Sequence, residues 1–168
     1  MALATSSYQE LMGLAEQAAT AIKRQRILLV TAESCTGGAI AAMLTEIPGS
    51  SSWFDRGFVS YSNASKQDLL GVSAQTLKRF GAVSEEVVRE MAQGAITGSN
   101  GHLSIAVSGV AGPDGGTADK PVGLVWIAWG QKRGYVEAQQ FQFSGDRQAV
   151  RAAAVGAALT GLIERLGG

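Results

Sequence analysis

Ile27-Leu28-Leu29-Val30-Thr31, then Ala32-Glu33-Ser34-Cys35-Thr36-Gly37-Gly38, then Ala39 to Glu46 is the stretch on which the fold turns. A short apolar run of this kind reads as a buried strand. Gly37-Gly38 opens a second helix, and Pro48-Gly49 stops it. A strand feeding a helix through a polar turn is the unit of α/β architecture. Upstream, Ser7 and Glu10 stand at capping-box spacing, and Leu11, Leu14, Ala15, Ala18, Ala21 and Ile22 recur at helical spacing. Downstream, Gly57 to Ser62 reads as a strand, with short helices over 65–70 and 74–80. A longer helix is capped by Ser84, with Glu85 and Glu86 in its first turn. Strands are expected over 102–110, 122–129 and 135–143, and Asp146 caps a final Ala-rich helix to about Leu166.

Helices between the early strands favour parallel pairing, whereas the short link Gly130-Gln131-Lys132-Arg133-Gly134 makes the last two strands antiparallel. The expected fold is therefore α/β: a three-layer α/β/α sandwich with one mixed sheet of about five strands. All 168 residues fit a single domain, 1–168.

Composition removes several classes of function. Lys and Arg number 14 and Asp and Glu number 14, so no basic excess suggests nucleic acid as a partner. The single cysteine, Cys35, forms no internal disulfide and no cysteine pair for zinc. No apolar run reaches the ~18 residues of a membrane span, and the N-terminus lacks the signal-peptide pattern, so a cytoplasmic protein is expected. His102 is the only histidine, and no acidic residue neighbours it in sequence. A structural role is expected for it. A thiol without a basic partner is a weak nucleophile, so Cys35 reads as a small buried residue.

Five segments are able to carry chemistry. Thr31–Gly38 gathers three hydroxyls, a carboxylate and two glycines at a helix start, where free amides and the helix dipole attract anions. No Gly-Lys-Ser/Thr follows, so it is not a Walker A loop. Gly49-Ser50-Ser51-Ser52-Trp53-Phe54 reads, by itself, as a polar loop. Tyr61-Ser62-Asn63-Ala64-Ser65-Lys66 joins a strand to a helix; its lysine becomes a base if burial lowers its pKa. Ser108 to Thr117 holds four glycines and can present backbone amides to an anion. Ser144-Gly145-Asp146-Arg147 places a guanidinium in the first turn of the last helix, suited to phosphate.

Taken in this order, these segments resemble the CinA C-terminal-domain family. The matching stretches are 31–38, 49–54, 57–66, 81–85, 108–116, 121–123 and 143–147, nearly the whole chain. The resemblance implies hydrolysis of the carboxamide of nicotinamide mononucleotide to nicotinate mononucleotide and ammonia, with neither metal nor organic cofactor. It implies Ser34, Ser51, Tyr61 and Lys66 as catalytic residues. For substrate binding it implies Ser108 and Arg147, with Arg151 one turn later as a rival. The glycines Gly37, Gly38 and Gly112 are expected to offer backbone amides. A serine activated by Lys66, with Tyr61 relaying protons, supplies nucleophile and proton shuttle without histidine. Ser51 is expected to attack, and Ser34 to orient the carboxamide or stabilise charge. The expected partner is this small molecule, with no nucleic acid and no membrane, and the chain is expected to form a homo-oligomer, in the simplest case a dimer. A non-enzymatic nucleotide-binding or competence-linked regulatory role is the alternative.

Overall fold

The capping box of Ser7 and Glu10 starts the first helix of the computed structural model, which describes residues 7–167. The elements follow in the order α1 (Tyr8–Gln25), β1 (Leu29–Glu33), α2 (Ala39–Thr45), β2 (Phe54–Val59), α3 (Asn63–Leu70), α4 (Ala74–Phe80) and α5 (Glu85–Thr97). They continue with β3 (Leu103–Gly109), β4 (Leu124–Gln131), β5 (Val136–Gln142) and α6 (Arg147–Arg165). The strands form one five-stranded sheet in the order β2-β1-β3-β4-β5. Strand β1 runs parallel to both its neighbours, and the β3–β4 and β4–β5 pairs are antiparallel.

Strand alternation divides the core into two layers. On one face Leu29, Ile105, Val107, Val125, Ile127 and Trp129 pack against Ile22 of α1, Ile40 and Leu44 of α2, and Leu159 and Leu162 of α6. On the other, Val30, Ala32, Ala106 and Ala128 meet Val88, Met91, Ala92 and Ala95 of α5, with Leu70 of α3 and Leu77 of α4. The expected three-layer α/β/α sandwich with a mixed sheet is the one observed. Small side chains on the second face let α5 approach the strands closely. Helix α3 in turn lies hard against α5: a Cβ at Gly94 would stand 1.8 Å from the Leu70 carbonyl oxygen. That contact fixes the helix that carries Lys66.

Several strand boundaries differ from the sequence reading, and the two at β1 and β2 bear on the site. Strand β1 spans 29–33 rather than 27–31, so Glu33 belongs to the sheet and pairs with Val59 and Val107. Strand β2 spans 54–59 rather than 57–62. The Ser60 amide still donates to the Glu33 carbonyl, but Ser62 leaves the sheet to cap α3, reciprocally with Ser65. A side chain that satisfies helix amides competes with the strand ladder, and here it ends the strand. Gly123, at φ +92°, delays β4 to Leu124.

Candidate active site

The C-terminal ends of β1 and β3 and the chain leaving β2 open onto a cavity of about 300 Å³. Ser34 and Cys35 from the β1–α2 turn line it. So do Tyr61, Asn63 and Lys66 from the β2–α3 junction, Ser108 to Gly112 at and beyond the end of β3, Asp114 and Gly115 after them, and Arg147 from α6. Ligands in open α/β sheets sit in this position, outside the carboxyl ends of the strands.

Lys66 is 1 % exposed, and its Nζ stands 3.1 Å from Ser34 Oγ. The other acceptors around it are backbone carbonyls, those of Ser60 at 2.9 Å and Tyr61 at 3.4 Å. Among the described residues it makes no ion pair. Burial without a counter-ion holds its pKa below the usual lysine range. Nζ donates to all three of these oxygens, so loss of one proton would leave its lone pair beside the serine hydroxyl.

The turn presenting Ser34 is built around a second buried ionisable group. Glu33 is 1 % exposed, and its carboxylate accepts from Thr36 Oγ1 at 2.7 Å, the Ile40 amide at 2.9 Å and the Ala41 amide at 3.0 Å. The helix N-terminus expected to attract a substrate anion therefore already holds the protein's own. Gly37 and Gly38 adopt φ +60° and +97°, so α2 begins at Ala39. The Gly37 amide is engaged with the Ser34 carbonyl at 2.9 Å. Both glycines make the turn, and neither lines the cavity. Glu33 was visible in sequence only as one carboxylate of a polar segment. Its role follows from its place at the strand end.

Across the cavity, Arg147 donates to the Gly112 carbonyl at 2.8 Å and to the Tyr61 hydroxyl at 2.8 Å. Tyr61 is 58 % exposed. Its phenol thus joins the cationic side of the cavity rather than Lys66, which departs from the expected relay. Ser108 donates its hydroxyl proton to the Ala82 carbonyl at 2.8 Å. With that proton committed, the Ser108 oxygen is left as an acceptor at the cavity wall.

Ser51 is not brought to this cavity. It is exposed in the single 3-10 turn Ser50–Ser52, ahead of β2. The β1–β2 register pairs Leu29 with Phe54 and Glu33 with Val59, so Ser34 and Ser51 flank opposite ends of adjacent parallel strands. At ~3.3 Å per residue, five residues of β1 alone separate them by ~16 Å. Cys35, beside Ser34, is buried, and burial raises its thiol pKa to about 11, so it stays protonated at neutral pH. His102 accepts the Leu28 amide on Nδ1 at 3.0 Å, a structural contact at the far end of the sheet. A larger cavity, about 580 Å³, lies there and includes His102, Lys132, Tyr135 and Arg165 in its lining, but no serine–lysine contact.

Residues 11–166 match the CinA C-terminal domain family. This chain belongs to that family. It is 53 % identical over 145 residues to nicotinamide-nucleotide amidohydrolase PncC of Enterobacter agglomerans, covering 86 % of this chain and 88 % of the relative. It is 51 % identical over 150 residues to the protein of the same name in Escherichia coli K12, covering 89 % and 91 %. Among solved structures, the competence/damage inducible protein CihA of Agrobacterium tumefaciens superposes with TM-score 0.91 at 43 % identity, covering all of both chains. A CinA superfamily protein of Klebsiella pneumoniae gives TM-score 0.90 at 41 % identity, covering 94 % of this chain and 98 % of that one.

Within this CinA-type domain, Asn63 and Asp114 line the cavity although the sequence reading assigned them no role. Asn63 lay within the Tyr61–Lys66 segment and Asp114 within the glycine-rich loop, but nothing in their spacing showed that they face inward. Among the described residues, no three His, Cys, Asp or Glu side chains converge to hold a metal, and no helix is long and apolar enough to cross a membrane.

Proposed function

We propose that this chain is a nicotinamide-nucleotide amidohydrolase in which Ser34 attacks the substrate carboxamide and Lys66 moves the protons. The contact between Lys66 Nζ and Ser34 Oγ, inside a cavity that also holds Arg147, carries this reading. The relatives named for the same activity support it, at about half identity over most of both chains.

Neutral Lys66 takes the Ser34 proton as Oγ bonds to the carboxamide carbon, giving a tetrahedral intermediate. The lysine ammonium then returns that proton to the departing nitrogen. Ammonia leaves, and the acyl group remains on Ser34 as an ester. Water enters, gives a proton to Lys66 and attacks the ester carbon. The acid leaves as nicotinate mononucleotide, and Ser34 recovers its proton. Arg147, aided by the glycine-rich loop, holds the substrate phosphate. Ser108, as an acceptor, receives an N–H of the carboxamide. No step calls for a metal ion or an organic cofactor.

The test is ammonia release from nicotinamide mononucleotide by the wild type and by Ser34→Ala. The wild type turns the substrate over, and Ser34→Ala loses at least ~10⁴ in kcat, as serine hydrolases do without their nucleophile. A folded Ser34→Ala with near-normal turnover would rule out the proposed attack, and a wild type releasing no ammonia would rule out the activity.

A further inference from the structure

Arg151 enters the sequence reading as a rival phosphate ligand, but it does not line the cavity. It reaches from α6 to the turn after Ser34, where Nε donates to the Cys35 carbonyl at 3.1 Å and Nη2 to the Thr36 carbonyl at 3.0 Å. Among the described residues it makes no ion pair, so its charge is given to these two carbonyls.

In a trans peptide the C=O and N–H point in opposite directions. Fixing the Cys35 carbonyl on Arg151 therefore turns the Thr36 amide away from the guanidinium. The Ser34 carbonyl accepts from Gly37, which turns the Cys35 amide outward from the turn. Neither the Cys35 nor the Thr36 amide donates to another residue among those described. Beneath the same turn, Glu33 holds Thr36 Oγ1. The result is a turn pinned from two sides, with two amides that donate to no other described residue directly following Ser34.

We propose that Arg151 is a positioning residue that aims the Cys35 amide, with the Thr36 amide behind it, at the oxyanion formed when Ser34 attacks. The inference rests on Ser34 as nucleophile. Donors aimed where charge develops act in the transition state and contribute little to ground-state binding.

The experiment measures kcat and KM for Arg151→Gln and Arg151→Lys on nicotinamide mononucleotide and on the nucleoside lacking the phosphate. Circular dichroism and a thermal melt establish folding. Arg151→Gln should lose about 10²-fold in kcat on both substrates, the scale of a small misplacement of catalytic groups, with KM within about threefold. Arg151→Lys, able to keep one carbonyl contact, should fall between it and the wild type. A folded Arg151→Gln with wild-type kcat overturns the inference. So does a loss confined to KM on the phosphorylated substrate, which would make Arg151 a phosphate ligand. If Arg151→Gln does not fold, Arg151→Lys decides: a reduced kcat at unchanged KM supports the role, and wild-type kcat overturns it. An active Ser34→Ala overturns the nucleophile and this inference together. An inactive Ser34→Ala beside a fully active Arg151→Gln overturns this inference alone.

Discussion

Glu33, the last residue of β1, and Lys66, on α3 beyond the end of β2, are both 1 % exposed. Their surroundings are opposite in kind. Glu33 meets three donors, a hydroxyl and two helix amides. Lys66 meets two carbonyls and a hydroxyl, with no acidic partner among the described residues. A carboxylate facing several N–H and O–H groups is stabilised as a charge. An ammonium removed from water without a counter-ion is destabilised as one. One buried ionisable residue therefore holds the architecture, while the other is the one to which the proposed mechanism gives the protons.

Lys66→Met tests the chemical half of that contrast and has the largest expected effect. Activity should fall by about 10⁴-fold or more, since base and nucleophile act as a unit. The fold should tolerate the change or gain stability, because an uncompensated buried amine is replaced by an apolar chain of similar length. Ammonia release and a denaturant melt check the two halves. A Lys66→Met that keeps its turnover removes the lysine from the mechanism.

In the wild type, kcat/KM should rise with pH as Lys66 loses its proton, with a midpoint below the usual lysine value of ~10.4. Between the lowered folded pKa and the ordinary unfolded one, the unfolded chain binds more protons. The contribution of Lys66 to stability should therefore grow with pH across that window. In Lys66→Met this contribution should vanish. A melt series in which the two proteins show the same pH slope there would deny that burial depresses this amine.

The cationic side of the cavity gives an intermediate effect. Arg147→Ala should raise KM for the nucleotide by roughly 10- to 100-fold, in line with a charge-assisted hydrogen bond of ~1.5–3 kcal/mol. The nucleoside should be hardly affected. Equal losses on the two substrates would take the phosphate away from Arg147.

Glu33→Gln tests the structural half. It puts an amide NH₂ where donors converge, and should cost about 1–3 kcal/mol of stability, the scale of a broken buried polar contact. Residual activity should exceed that of Lys66→Met. A Glu33→Gln as stable as the wild type, yet as inactive as Lys66→Met, would reverse the assigned roles.

The smallest effects belong outside the cluster. Ser51→Ala, at the far end of β2, and Cys35→Ala, whose thiol stays protonated, should each keep activity within about threefold of wild type, the scale of a surface or small volume change. A Ser51→Ala that is dead in ammonia release would show that the exposed Ser50–Ser52 turn takes part in catalysis after all.

Much of the scaffold was legible because it depends on local rules. Ser7, Ser84 and Asp146 cap helices through their own side chains, and such caps depend on only three or four residues. Strand and helix alternation likewise announced a mixed sheet between two helical layers. Ser34, Tyr61, Lys66, Ser108 and Arg147 all line one cavity, while Ser51 does not join them.

What the sequence could not reveal was direction. Ser34 and Ser51 lie 17 positions apart, each close to glycine and other hydroxyls, and nothing local tells which of them meets the lysine. The parallel β1–β2 register separates them, by sending the two serines to opposite ends of the sheet. Likewise Arg147 and Arg151 differ by one helical turn, yet one lines the cavity and the other grips the turn behind Ser34. Caps and strand patterns arise from contacts a few residues long and survive in the sequence. Which hydroxyl meets the lysine, and which arginine lines the cavity, depends on strand order and helix packing between distant parts of the chain, so only the folded chain decided them.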